Sequence, residues 1–159
     1  AKKSLMIWPY HTMIGSVGHN LMPALYEAIM LHSAARQAQP HFFIKGMIPQ
    51  TEHYSIIEPE VKPPDEPRAQ PNRSLLDLIA GHDRVYIAGQ AKSHCVLETI
   101  ASLVRHFGAG SDLVRRFHVL TDCMSSVAHP QIDFEALAAQ SFAQFAAAGV
   151  HLEESVMRE

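Results

Sequence analysis

Cys95 and Cys123 are the two cysteines in a chain of 159 residues. Cys95 follows the apolar stretch Val85–Ala88 and a turn over Gly89–His94. After it Val96, Ile100, Leu103 and Phe107 recur at steps of four, three and four, which is one helical face. A thiol at a helix N-terminus meets partial positive charge and unpaired N–H groups, which favour the thiolate. The same groups can hold the oxyanion that develops when a thiolate attacks a carbonyl. Lys92 and His94 add basic groups close by in sequence. Lys92 is expected to be exposed on the turn, with contact to a substrate as the alternative. By position alone, Cys95 reads equally as a nucleophile and as a small core residue. Cys123, in TDCMSS after a strand, has a weaker context for chemistry.

These residues need a scaffold, and the patterning predicts an α/β one. Asn20–Arg36 carries Leu21, Leu25 and Ile29 at spacing four and is stopped by Pro40, so a helix is expected. His41–Lys45 (HFFIK) is expected to be a strand, closed by Gly46 and Pro49. The stretch 58–73 holds five of the ten prolines and is expected to be a surface loop. Ser74–Ala80 predicts a short helix capped by Ser74 and stopped by Gly81. Val85–Ala88, Phe117–Leu120 and Val150–Leu152 predict buried strands. Asp133–Ala148 predicts a helix with Phe134, Leu137, Ser141, Phe142 and Phe145 inward. Strands alternating with helices imply a doubly wound parallel sheet, with chemistry at the carboxyl ends of its strands. Lys45 with Gly46, Gly89–Cys95 and Thr121–Ser126 fall at such ends.

Composition bounds the partners. A chain 47% hydrophobic and of this length buries one ordinary core, so residues 1–159 are expected to form one domain. A net charge of −3 spread over both signs gives no basic face for nucleic acid. No apolar run approaches the roughly 18 residues needed to cross a membrane. AKKSLMIWPYH lacks the features of a signal peptide, and two cysteines make no disulfide framework, so a cytoplasmic setting is expected.

Several segments resemble, in order, those of the isochorismatase-like cysteine hydrolases, among them the nicotinamidases. WPYHTMIGSVG is similar to the WP-x-H segment of nicotinamidases, and FFIKG to the strand that delivers the family's lysine. AGQAKSHCVLETI resembles the nucleophile segment, and TDCMSS the strand end that follows its helix. The resemblance spans essentially the whole chain. It implies a Rossmann-like three-layer fold in which Cys95 is the nucleophile and Lys45 the lysine of the catalytic triad. It also implies that the backbone N–H of Ala91 joins that of Cys95 in an oxyanion hole, after a cis bond between Gln90 and Ala91. His11 matches a metal ligand, which implies one divalent ion (Zn, Fe or Mn); a turn histidine bonded to backbone is the equal alternative. The implied activity is hydrolysis of a small carboxamide through a thioester, by a homo-oligomer. Two alternatives stand beside it: a metal-free hydrolase of isochorismatase or carbamoyl-amide type, and a catalytically inactive binding or regulatory relative.

The chain departs from the family in its acids. The family's catalytic aspartate and its Asp-x-His metal ligands lie upstream of WPYH, where this sequence has seven residues. The first aspartate here is Asp65, in the proline-rich loop. Residues 1–159 are therefore expected to be the carboxyl-terminal portion of the family domain, without its N-terminal strands.

Overall fold

A computed structural model describes residues 8–155 of the chain. They fall into two units, one ending at Phe43 and one beginning at Ile44.

Among the described residues the first unit contains a short 3-10 turn at Val17–His19 and one α-helix, α1 (Pro23–Arg36), which starts three residues later than the apolar spacing predicts. The reason is Pro23: its ring disfavours helical geometry at the residue before it, and Met22 is accordingly extended, at φ −55° and ψ 137°. Gln37 ends the helix in the left-handed conformation at φ 51°. The expected apolar face is largely uncovered within this unit, with Leu21 and Leu25 about half exposed.

The second unit is an α/β layer. Its order is α2 (Arg73–Ala80), β1 (Val85–Ile87), α3 (Leu97–Phe107), β2 (Phe117–Leu120), α4 (Phe134–Ala147) and β3 (His151–Glu153). The strands pair in parallel in the order β1-β2-β3, with Val85 opposite Phe117 and His118 opposite His151. Parallel neighbours need long crossovers, and α3 and α4 supply them. Along β2, Phe117 and Val119 are fully buried while His118 and Leu120 alternate to the other face. Phe117 and Val119 share one apolar cluster with Ile100 and Leu103 of α3 and with Phe142 and Phe145 of α4. Burying a side chain of this size stabilises by about 1.5–3 kcal/mol.

Three local expectations are corrected. The segment His41–Lys45 forms no strand; residues 41–48 carry no ladder bonds. Strand character is conferred by a neighbour, and none pairs with this segment among the described residues. Asn72 rather than Ser74 caps α2: its Oδ1 accepts from the Leu75 N–H at 3.1 Å and from the Ser74 hydroxyl at 2.8 Å. On α4 the buried line is Ala138, Phe142 and Phe145, and Leu137 is 52% exposed. One residue turns a helix by about 100°, so Leu137 and Ala138 cannot share a face.

The proline-rich loop lies mostly at the surface, as expected, with Glu58 and Ala69 turned inward. Ala69 is fully buried, and Glu58 is 9% exposed. The Glu58 carboxylate receives Lys62 at 2.5 Å and Arg105 at 3.0 Å, with His106 Nε2 at 3.5 Å. Burial pushes its pKa up. The hydrogen bonds from Lys62 and Arg105, with the charges of Lys62 and His106, outweigh that and hold it at about 2.

Candidate active site

The Cys95 segment begins where β1 ends. Gly89 adopts φ +135°, open to glycine and hardly to any other residue, and its N–H donates to the Cys123 carbonyl at 3.2 Å. The Gln90–Ala91 peptide is cis, as the resemblance implies. The chain then makes one wide π-turn over Lys92–Val96 before α3 begins. Cys95 therefore lies inside this turn and not at the first residue of α3. Such turns within helices are frequent at functional sites. Cys95 is partly buried, and Cys123 is exposed.

Lys45 reaches Cys95 from the other end of the unit. Its Nζ donates to Cys95 Sγ at 3.3 Å and to the His53 carbonyl oxygen at 2.5 Å. Sequence reasoning puts Lys45 at the end of a strand; the structure puts it on irregular chain just before Gly46, whose φ is +77°. Thr99, in the first turn of α3, ties the same region together. Its hydroxyl donates to the Cys95 carbonyl at 2.7 Å and accepts from the Ile56 N–H at 3.3 Å. Tyr54 and Ser55 are buried, and the Tyr54 ring meets the His94 ring edge-on at 5.8 Å.

The His53 ring adds a feature with no local signature. Both its nitrogens are shielded from solvent and lack a hydrogen-bond partner. Burial first, and the Lys45 charge second, keep its pKa below the ordinary 6.5, against a smaller opposing effect of Glu52. A neutral imidazole thus stands beside the lysine that touches the thiol. Lys45 and His53 both line a cavity of about 260 Å³, together with Met47, Arg68 and Gln70. A larger hollow of about 540 Å³ is formed wholly by residues 126–135 and includes neither Lys45 nor Cys95.

Ala91 lies at the head of the turn. Its carbonyl accepts from the N–H groups of His94 and Val96, each at 3.1 Å. The turn is stitched to residues 125–127, just beyond β2. Lys92 N–H donates to the Ser125 carbonyl at 2.8 Å, and Gln90 Oε1 accepts from the Ser125 hydroxyl at 3.0 Å. Val127 N–H donates to Ser93 Oγ at 3.1 Å. Lys92 itself is not exposed: its side chain is 15% accessible and ion-pairs with Glu135 of α4.

His11 belongs to the first unit. Its Nδ1 hydrogen bonds the Pro9 carbonyl at 2.7 Å, and its ring faces Trp8 edge-on at 6.5 Å. This bond fits a turn histidine and a ligand alike, for it leaves Nε2 as the ring nitrogen open to a metal. Among the described residues no three His, Cys, Asp or Glu side chains are grouped to hold an ion. A catalytic metal wants about three protein ligands. The described residues alone do not fit a metal centre, and no step is routed through one.

No protein-family profile matches the chain, and no curated protein matches it. Solved structures do, and they show its fold: it is the α/β fold seen in nicotinamidases. The yeast nicotinamidase Pnc1p bound to the inhibitor nicotinaldehyde matches with a TM-score of 0.62 at 17% identity, over 94% of this chain and 59% of that one. A second structure of yeast Pnc1p gives 0.60 at 19%, again over 94% and 59%. An Acinetobacter baumanii nicotinamidase/pyrazinamidase gives 0.56 at 17%, over 97% and 62%. The chain thus spans about three-fifths of the length of each, and likeness at this identity establishes the fold. No helix among the described residues is long and apolar enough to cross a membrane.

Proposed function

We propose that this chain belongs to a cysteine hydrolase that cleaves a small carboxamide, in the manner of a nicotinamidase. The observation that carries the reading is the 3.3 Å contact between Lys45 Nζ and Cys95 Sγ, at the head of a helix in a nicotinamidase fold. Cys95 acts as the thiolate. Lys45, anchored on the His53 carbonyl, holds its ammonium against the sulfur as negative charge develops. The sulfur adds to the amide carbon, and the carbonyl oxygen, now carrying the electron pair, rests against the backbone N–H groups of Ala91 and Cys95. The tetrahedral adduct expels the amine, which takes up a proton and departs as ammonia from a primary amide. Water then releases the acid from the thioester. The proton acceptor for the thiol is an aspartate by the family resemblance, at a position upstream of WPYH.

A divalent metal held in part by His11 Nε2 is retained in the proposal on the WPYH segment alone; its other ligands would come from polypeptide outside the described residues. In the same reading the protein is a homo-oligomer and acts in the cytoplasm. The second reading is a metal-free hydrolase of isochorismatase or carbamoyl-amide type. It is favoured by the lack of a grouped ligand set among the described residues; the bond from His11 Nδ1 to Pro9 fits either reading, since a ligating imidazole commonly bonds backbone through its other nitrogen.

The test has two arms. Incubation with nicotinamide and with aliphatic carboxamides, with ammonia release measured, asks for turnover. Acid quench followed by intact-mass measurement asks for the acyl adduct on Cys95. Turnover that survives Cys95→Ala would overturn the reading. Nicotinaldehyde serves as a reversible probe: thiolate addition to its carbonyl gives a thiohemiacetal whose oxygen occupies the oxyanion position.

A further inference from the structure

Lys92 is a charged side chain held at 15% accessibility, and its surroundings account for the charge. Its Nζ pairs with the Glu135 carboxylate and lies 5.6 Å from the centre of the Phe142 ring. Glu135 and Phe142 are two turns apart on α4, so one helix face meets the ammonium with both a carboxylate and an aromatic ring. The second Glu135 oxygen accepts from the Ser126 hydroxyl at 2.6 Å. A largely covered ammonium is kept charged where a carboxylate meets it. A turn that needed only packing here would be served by a methionine or a leucine.

The backbone around Lys92 is held at successive residues. Gln90 Oε1, Lys92 N–H and Ser93 Oγ all bond to Ser125 or Val127. The Lys92–Glu135–Ser126 chain closes the arrangement from the side-chain end, fastening both strands of it to α4. Between these fixed points lies the Gln90–Ala91 peptide, which carries the Ala91 N–H. Glu135 stays ionised to lower pH than an ordinary glutamate, because Lys92 first and Ser126 second donate to it.

We propose that Lys92 is a positioning residue whose ion pair with Glu135 holds the turn at residues 90–93, so that the Ala91 and Cys95 N–H groups converge on the substrate oxyanion. The proposal rests on the hydrolase reading above. It assigns Lys92 no contact with substrate and no direct action on the thiol; Lys45 has that place. Backbone donors work only where the oxyanion forms, and a misplacement of about 1 Å can cost about 100-fold in rate.

The experiment compares wild type with Lys92→Met, Lys92→Arg and Glu135→Gln in the full-length protein. Three readouts are taken: kcat and KM for the carboxamide, affinity for nicotinaldehyde, and the pH profile of Cys95 alkylation by iodoacetamide. Lys92→Met is expected to lower kcat about 10- to 100-fold with little change in KM, and to weaken nicotinaldehyde by a similar factor. Its alkylation profile should match wild type. Lys92→Arg should recover part of the loss. Glu135→Gln, at an exposed site, should reproduce part of it and serves as the readout if Lys92→Met fails to fold. The double variant Lys92→Met/Glu135→Gln should be little worse than Lys92→Met, since the two groups act as one unit. Unchanged kcat and aldehyde affinity in both Lys92→Met and Glu135→Gln would overturn the proposal, as would an altered alkylation profile, which would mean Lys92 acts on the thiol. A wild type that alkylates normally but neither turns over carboxamides nor binds the aldehyde would overturn the hydrolase reading, and this inference with it.

Discussion

Lys45 Nζ lies 3.3 Å from Cys95 Sγ across a separation of fifty positions in sequence. The same nitrogen is fixed by the His53 carbonyl at 2.5 Å, so it is presented to the thiol and not merely near it. Lys45→Met keeps most of the stem and deletes the charge. It is expected to reduce turnover by about 100-fold or more, and to move the pH profile of Cys95 alkylation to higher pH. Iodoacetamide kinetics followed by mass spectrometry read the second effect without any assay of activity. If Lys92→Met proves more damaging than Lys45→Met, the assignment of Lys45 to the thiol is wrong.

Thr99 links two backbone groups far apart in sequence, the Cys95 carbonyl and the Ile56 N–H. Thr99→Val conserves shape but removes both side-chain bonds. A destabilisation of about 1–3 kcal/mol is expected, seen as a lower denaturant midpoint at unchanged slope. Activity should fall as well, because the loop carrying Tyr54 loses its tie to the nucleophile turn.

Glu58 makes stability depend on acid. Its pKa is depressed from the ordinary 4.5 to about 2 in the folded chain. The unfolded chain therefore binds the proton first, and the stabilising contribution is complete above about pH 4.5 and is lost as pH falls toward 2. The contribution is at most about 3 kcal/mol, reduced by the exposure of Lys62 and Arg105. Urea titrations of wild type and Glu58→Gln should differ most at neutral pH and converge as pH falls toward 2. A gap independent of pH would show that the ion cluster is not its source.

His11 is tested by elemental analysis of protein purified without chelator. If its Nε2 ligates a metal, wild type should carry more Zn, Fe or Mn than His11→Ala. Equal content in the two would remove His11 from any metal site and favour the metal-free reading.

The three sheet strands and the helices between them are legible in the sequence because their signals are local. Val85–Ile87 and Phe117–Leu120 are short apolar runs, and Ile100, Leu103 and Phe107 repeat at helical spacing. The segment around Phe43 misleads because an apolar run states a preference for extension, whereas a strand requires a partner elsewhere. The start of α1 is set by the steric demand of Pro23, which apolar spacing does not register. The proximity of Lys45 to Cys95 follows from ordered motifs, since nothing in their spacing brings them together. Lys92 is misread as exposed because its partner Glu135 is 43 positions away, and a lone charge on a turn is ordinarily solvated. The His53 ring has no signature at all; only the folded chain reveals two shielded nitrogens beside a lysine.

Among the described residues β2 is the central strand of the sheet, and β1, from which the nucleophile turn hangs, is an edge. A strand laced on both flanks opens its amides only with the sheet itself, so exchange should be slow at Phe117–Leu120. The bonds from Gly89, Gln90, Lys92 and Ser93 to residues 123–127 moor the Cys95 turn to the end of that strand. The turn should then share the protection of β2, and exchange rates measured across residues 89–96 would read how far that mooring reaches.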